Sequence, residues 1–388
     1  MKNTDNIKAI FAQKFKGTPT VFVAPGRINL IGEHTDYNEG FVMPAAIDHH
    51  ITFAIALNNT ETFNFFAIDY NEGASFDLPG LKPGDGWVNY LMGVVDGIRK
   101  KGLPVKGVDC VFGSTIPVGA GLSSSAALGS GLGFAINELQ KFSLSRLDLA
   151  KNAQYSEHKF AGVRCGIMDM YASLFGQKNS ALLLDCKNLT HEVLPVSLGE
   201  YCIMLIDTKV KHSLASTAYN DRRASCEEGV RIIQKTSPHV QSLRDVTRLM
   251  LDEHQDQMGE EVYIKCGFVV DEIARTRKAA GYLKSGQIEL FGALLYETHT
   301  GLSRHYDVSC EELDFLVDLA AEQRDSFLGA RMMGGGFGGC TINLVRKSRV
   351  DFVRGYVHDK YFTTFKKEPD FYLVTLAEGV HREGPLET

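Results

Sequence analysis

No C-x-x-C pair occurs in the chain: its eight cysteines stand singly, at 110, 165, 186, 202, 226, 266, 310 and 340. That scatter excludes the usual zinc-site spacing and a disulfide framework, and it fits a reducing compartment. There is no basic block either, and the net charge is −6. The electrostatic footprint of a nucleic-acid binder is therefore missing. No apolar run approaches the roughly 18 residues needed to span a bilayer. The polar, amphipathic N-terminus "MKNTDNIKAIFAQKFKG" lacks the apolar core of a signal peptide. These absences point to a soluble cytoplasmic protein with neither nucleic-acid nor membrane partners. The chain also contains no Gly-Lys pair, which excludes a Walker loop ending in G-K-[ST].

What is present is a 388-residue chain that is 44% hydrophobic and 23% charged, enough for two ordinary globular domains. "TVFVA" (20–24) reads as a strand, and "HHITFAIAL" with "FNFFAIDY" reads as a hairpin around "NNTET". "GVDCVFGSTI" is a further strand that runs into a turn and a helix of small residues. "SRLD" (145–148) has capping-box spacing and opens a helix through about Phe160. Near Pro195–Gly199 the pattern restarts with "YCIMLIDTKV", followed by helical stretches within 216–235, 262–284, 287–300 and 310–323 and by late strands at 340–345 and 370–378. The pattern alone gives two α+β lobes, 1–198 and 199–388.

Three stretches carry chemistry. "GRINLIGEHTDYNEG" (26–40) crowds donors and acceptors between two glycines. In "PVGAGLSSSAAL" (117–128), Gly119 and Gly121 allow tight turns before a helix whose first N–H groups are unpaired. That is a phosphate cradle, with Ser123, Ser124 and Ser125 free to cap the helix, bond phosphate or ligate Mg²⁺. "GGGFGG" (334–339) matches G-x-G-x-x-G, but a strand-like run follows it where a dinucleotide fingerprint needs a helix. It reads instead as backbone able to approach a ligand closely, with Arg331 just before it. Asp169, in "CGIMDMYASLFG", lies among apolar residues and requires a partner; Arg27 is the partner proposed. His212 and His299 read as packing or polar-network residues.

Taken together, "PGRINLIGEHTDYNEGFVMPAAI", "PVGAGLSSSAAL" and "MMGGGFGGC" resemble the three signature motifs of the galactokinase family within the GHMP kinase superfamily. The resemblance runs from about residue 20 to 380. It implies an α+β, two-lobed fold with a ribosomal-protein S5-like N-lobe and a ferredoxin-like C-lobe, and an active site between them. The activity implied is ATP-dependent phosphorylation of D-galactose at the anomeric O1 hydroxyl. Glu33, His34, Asp36 and Tyr219 match sugar-binding positions. Asp169 and Arg27 match the catalytic pair, with Asp169 either taking the O1 proton or orienting it. Gly119, Gly121 and Ser123–Ser125 match the nucleotide phosphate loop, Trp87 the position that packs the base, and Ser125 with Glu157 the ligands of Mg²⁺. Galactose and Mg-ATP are thus the implied partners. Two positions depart from the family pattern: Met170, where glutamine is usual, and His158 in place of asparagine. Two alternatives stay open, a kinase for a related sugar such as N-acetylgalactosamine or arabinose, and a non-catalytic sugar sensor. The intact serine loop with Asp169 and Arg27 speaks against the sensor.

Overall fold

The computed structural model describes residues 4–117, 119–210 and 215–384; His212 and Val118 lie outside them. A six-stranded sheet organises the N-terminal half. Its spatial order is His381–Arg382, Thr20–Asn29, Pro44–Leu57, Val108–Ser114, Thr62–Ala67 and Glu72–Asp77. All neighbours are antiparallel except Val108–Ser114 and Thr62–Ala67, which run parallel. The hairpin expected around residues 58–62 is therefore not a hairpin. Val108–Ser114 inserts between its two arms, with Phe112 opposite both Phe53 and Ala67. The physical reason is burial: Cys110, Val111 and Phe112 are all buried, and a strand apolar on both faces takes an interior place.

The helix Ser124–Gln140 lies on this sheet, and its run of alanine, glycine and serine sets how closely. A Cβ on Gly131 would stand 2.4 Å from the Phe53 ring and 2.7 Å from the Ala24 methyl. On the sheet's other face, Ile7 and Phe11 of the helix Thr4–Lys14 pack with Ala54 and Val111. The expected capping box is present: the Ser145 hydroxyl accepts from Asp148 N, and the Asp148 carboxylate accepts from Ser145 N. The helix it opens, Arg146–Ser156, continues as a π-helical turn, Glu157–Ala161, which stops at Gly162. Wide turns of this kind often mark functional sites.

In the C-terminal half the sheet order is Phe327–Met332, Cys340–Arg346, Tyr201–Asp207 and Asp370–Val374, antiparallel throughout. The helices Ala215–Gln234, Ile288–Arg304 and Glu311–Glu322 fall close to where the sequence places them, while Gln255–Lys284 begins before the expected 262 and is interrupted at Gly259. A smaller sheet, Phe41–Val42, Ser180–Asp185 and Thr190–Pro195, stands beside the first. The largest apolar cluster joins Phe22 and Phe53 of the first sheet to Leu205 and Ile342 of the second, so the halves share one continuous core. Among the described residues no helix is long and apolar enough to cross a membrane.

Candidate active site

Two cavities take up the sequence motifs, one where the halves meet and one within the N-terminal half. The first encloses about 240 Å³ and is walled by Arg27, Glu33, His34, Asp36, Asp169 and Tyr219, by the segment 163–168, and by backbone of Gly334–Gly336. The second, about 500 Å³, has Ser124 and Ser125 at one end and Ile51, Tyr70, Tyr90 and Phe112 as apolar walls. Between Ser124 and the first cavity stands Ser123, in the left-handed conformation at φ 56°. It does not cap its helix; its hydroxyl donates instead to Asp169 Oδ2 at 2.5 Å. The helix N-terminus thus keeps unpaired N–H groups beside the second cavity, and a strained backbone turns one serine toward the first.

Arg27 and Asp169 meet as the sequence suggested. Arg27 Nε donates to Asp169 Oδ1 at 2.7 Å and Nη2 to Oδ2 at 2.9 Å, while Nη1 holds the Gly121 carbonyl at 2.6 Å. Burial pulls the guanidinium pKa down, but the adjacent Asp169 outweighs it and holds the group above its ordinary value. One arginine therefore ties the carboxylate to the glycine-serine loop through a planar two-bond contact that lysine cannot reproduce.

Glu33 is buried, and both of its hydrogen bonds among the described residues reach Oε1: from Arg331 Nη1 at 2.9 Å and from Gly334 N at 2.9 Å. His34 sits at φ 62°. Burial holds its pKa down at about 4, so its ring is neutral near pH 7. Its Nδ1 is 2.8 Å from Tyr37 Oη, and the rest of the ring lines the cavity beside the Gly335 backbone. Asp36 opens the short turn Asp36–Asn38, and its Oδ1 accepts from Tyr37 N at 2.9 Å. Burial first, and then the nearby Asp169, push its carboxyl up to about 6. The Tyr219 ring lies 5.3 Å from that of His34 and packs against Gly335.

Ser125 and Glu157 also come together: Glu157 is buried and accepts from Ser125. Burial, with Asp169 nearby, raises the Glu157 carboxyl to about 7. Trp87 stands one ring back from the second cavity. It packs edge-on against Phe112 at 5.3 Å and donates to Glu72 Oε2 at 3.2 Å, and it is Phe112 that forms the wall. Met170 points into the apolar core, so the amide usual at this position has no counterpart facing the cavity. His158 Nε2 bonds the Cys165 carbonyl at 2.8 Å and steadies the segment 163–168. His299 is a network residue, with Nδ1 accepting from Met332 N at 3.2 Å and Nε2 3.3 Å from Asp314.

Sequence reasoning missed Cys165 and Gly166 as wall. The one available signal is glycine at 166, where a Cβ would fall 1.8 Å from Asp36 Oδ2. Gly166→Ala is therefore expected to displace the Asp36 carboxylate and raise the sugar KM about tenfold or more, the scale of one lost charged hydrogen bond. Steady-state kinetics at saturating ATP check this, and an unchanged KM would show that Asp36 does not meet the sugar.

Comparison with known proteins gives the class first. Residues 89–177 match the GHMP kinase N-terminal domain and 279–363 the GHMP kinase C-terminal domain. A crystal structure of a mevalonate kinase superposes with a TM-score of 0.63 at 20% identity, over 92% of this chain and 99% of that one. The fold is thus the two-lobed α+β fold of GHMP kinases. Residues 9–57 match the galactokinase galactose-binding signature. The galactokinase of Thermosipho africanus is 39% identical over 357 residues, covering 92% of this chain and 98% of that one. That of Thermotoga neapolitana is 40% identical over 359 residues, covering 92% and 99%. The crystal structure of Lactococcus lactis galactokinase complexed with galactose has a TM-score of 0.93 at 33% identity, over 97% and 99% of the two chains. The chain belongs to the galactokinase family, and it is a sugar kinase.

Proposed function

We propose that Asp169 and Arg27 form the reacting centre of this enzyme, with galactose in the smaller cavity and ATP in the larger. The enzyme transfers the γ-phosphoryl group of ATP to the anomeric O1 hydroxyl of galactose, giving galactose 1-phosphate and ADP. The observation that carries the assignment of groups is the Ser123–Asp169 contact: it sets the carboxylate of one cavity against the serine loop of the other.

Glu33, His34, Asp36 and Tyr219 hold the sugar. A site whose buried acceptors need hydroxyl partners rejects analogues that lack them. Asp169 accepts the O1–H hydrogen bond and aims O1 at phosphorus. As the O1–P bond forms and the bond from phosphorus to the ADP oxygen breaks, the O1 proton passes to Asp169. Phosphoryl transfer runs through a loose transition state with little charge on the attacking oxygen, so the proton moves late and orientation contributes most. Arg27 keeps Asp169 in place and adds positive charge near the transferring group. Gly119, Gly121, Ser124 and Ser125, with the N-terminus of their helix, cradle the phosphates.

The residues present fit Mg²⁺. Ser125 and Glu157 are hard oxygen donors, and a cation beside Glu157 relieves the burial that raises its carboxyl to about 7. Mg²⁺ usually keeps several waters and phosphate oxygens among its ligands, so two protein oxygens are enough to hold it. Bound there, Mg²⁺ would neutralise phosphate charge.

An ADP-release assay with Mg-ATP and galactose, glucose, N-acetylgalactosamine or arabinose tests the assignment. Strong turnover with galactose alone is expected; turnover with a related sugar instead would reassign the acceptor. In the same assay kcat/KM should rise with pH between about 6 and 7, as Asp36 and Glu157 ionise in the free enzyme. For stability the sign is opposite. Both folded-state values are raised, so each group's contribution is full below about pH 4 and is lost as pH rises through about 6 or 7. A pH–rate profile flat from 5 to 8 would contradict the ionised roles of both groups.

A further inference from the structure

The loop that carries Glu33 and His34 is held by a residue that neither the sequence motifs nor the phosphoryl transfer accounts for. Glu272 lies on the helix Gln255–Lys284 and is fully buried. Its Oε1 accepts from Gly32 N at 3.0 Å, across 240 positions of sequence. The Thr298 hydroxyl stands 3.1 Å from Oε1 and 3.0 Å from Oε2, and Arg275 Nη1 donates to Oε2. Burial raises the Glu272 carboxyl, and the charges of Arg275 and Arg331 oppose that rise.

Each carbonyl on the way to Glu33 is tied. Those of Asn29 and Leu30 accept from Arg331. That of Ile31 accepts from Met43 N at 3.0 Å, and that of Gly32 from the Thr35 hydroxyl at 3.0 Å. The Gly32 N–H needs an acceptor as much as these carbonyls need donors, and Glu272 supplies it. The pairing follows from the chemistry of the two charged groups: a guanidinium only donates and so holds carbonyls, while a carboxylate only accepts and so holds an N–H. The same helix also seats the glycines of the loop. A Cβ on Gly32 would stand 2.8 Å from Thr276 Oγ1, and one on Gly40 2.7 Å from Ile273 Cγ1. Gly32 has φ 97°, a conformation that only glycine adopts readily. The bond from Glu272 therefore acts at the residue where the chain turns toward Glu33.

We propose that Glu272 is a positioning residue for galactose: by holding the Gly32 N–H it fixes the backbone from which Glu33 and His34 enter the sugar cavity. It does not line that cavity itself and acts through the loop. The inference rests on the reading of the cavity as the galactose site. What matters in Glu272 is reach rather than charge. An acceptor oxygen must arrive at Gly32 N, whereas the ion pair with Arg275 is replaceable, because Arg275 Nε also lies 3.5 Å from Glu297.

Two substitutions in the full-length enzyme separate reach from charge. Glu272→Asp keeps the charge but withdraws the carboxylate by one methylene, so the bond to Gly32 N is lost. Glu272→Gln loses the charge but keeps an acceptor oxygen at the right length. ADP-release kinetics give galactose KM at saturating ATP and ATP KM at saturating galactose, and urea midpoints are measured beside them. In Glu272→Asp galactose KM should rise about tenfold, the scale of one lost hydrogen bond to a charged group, with ATP KM and kcat within about threefold. In Glu272→Gln galactose KM should stay within about threefold, even where the urea midpoint falls. A merely structural carboxylate would give the reverse order, equal effects or none, and any of these overturns the proposal. Glu33→Gln is the control for the cavity: its Oε1 can still accept from Arg331 and Gly334, while its other head becomes a donor. A galactose KM that does not move there overturns the sugar-site reading. One that moves there and not in Glu272→Asp overturns the positioning role alone. If Glu272→Asp does not fold, Glu272→Ala makes the same test, since it removes the acceptor without leaving a buried charge short of partners.

Discussion

Asp169→Asn is expected to lower turnover by about 10²–10⁴-fold, the range attributed to one positioned proton-transfer group, while galactose binding stays within a few-fold. Three donors converge on this carboxylate, two from Arg27 and one from Ser123. An amide keeps the shape but can accept at only one of its two heads. Its NH₂ would face the guanidinium in either orientation, and the serine hydroxyl as well at the Oδ2 position, both donors in the wild-type arrangement. The side chain must then turn, carrying the group that aims O1 out of line, and it also loses the capacity to take the O1 proton. The sugar contacts proposed at Glu33, His34 and Asp36 remain, and losing the Asp169 charge only lets the Asp36 carboxyl fall back toward its ordinary value. Calorimetry with galactose beside an ADP-release assay separates the two quantities. A variant retaining more than a tenth of wild-type kcat would exclude Asp169 from the reaction.

The second large effect is on stability. Arg331 is the largest fully buried side chain. It donates to the Glu33 carboxylate and to the carbonyl oxygens of Leu30, Asn29 and Met332. Taking it out of water is costly, and these four partners offset the cost. Arg331→Met leaves Glu33 charged and buried with one backbone N–H, from Gly334, as its described donor. Removing one partner of a buried pair typically costs about 3–5 kcal/mol, read as a lowered urea midpoint. Adding Glu33→Gln to Arg331→Met should recover part of that loss, because the unpaired charge is gone, while sugar affinity stays poor. A loss below about 1 kcal/mol in the single variant would mean that Glu33 is solvated rather than held.

Much of this site is legible in the chain because loops that must bring backbone close to a ligand use glycine, and their polar residues then cluster within short stretches. Residues 26–40, 119–125 and 334–339 are of this kind. Helical periodicity also speaks: adjacent positions 169 and 170 point apart, so Asp169 faces a cavity and Met170 the core. Strand partners are less legible. Alternation marks Pro44–Leu57 and Thr62–Ala67 as strands but does not say that Val108–Ser114 comes between them. Contacts assembled from distant segments leave no local pattern at all. Tyr306, Cys226 and Cys266 are unremarkable in sequence and meet Tyr37 of the 26–40 stretch only in the fold. Trp87 and Phe112, distant in sequence, likewise meet only in the fold.

The two-residue strand His381–Arg382 closes the outer edge of Thr20–Asn29 by pairing with Phe22 and Val23. That edge waits for a partner 358 positions further along the chain, from Val23 to His381. Until residue 382 is available, the backbone of Phe22 and Val23 stays open on that side, and an unpaired strand edge is a template for wrong partners. Closing so long a loop is slow compared with local pairing. This edge of the N-terminal sheet is therefore open to self-association until the segment around residue 382 has been made.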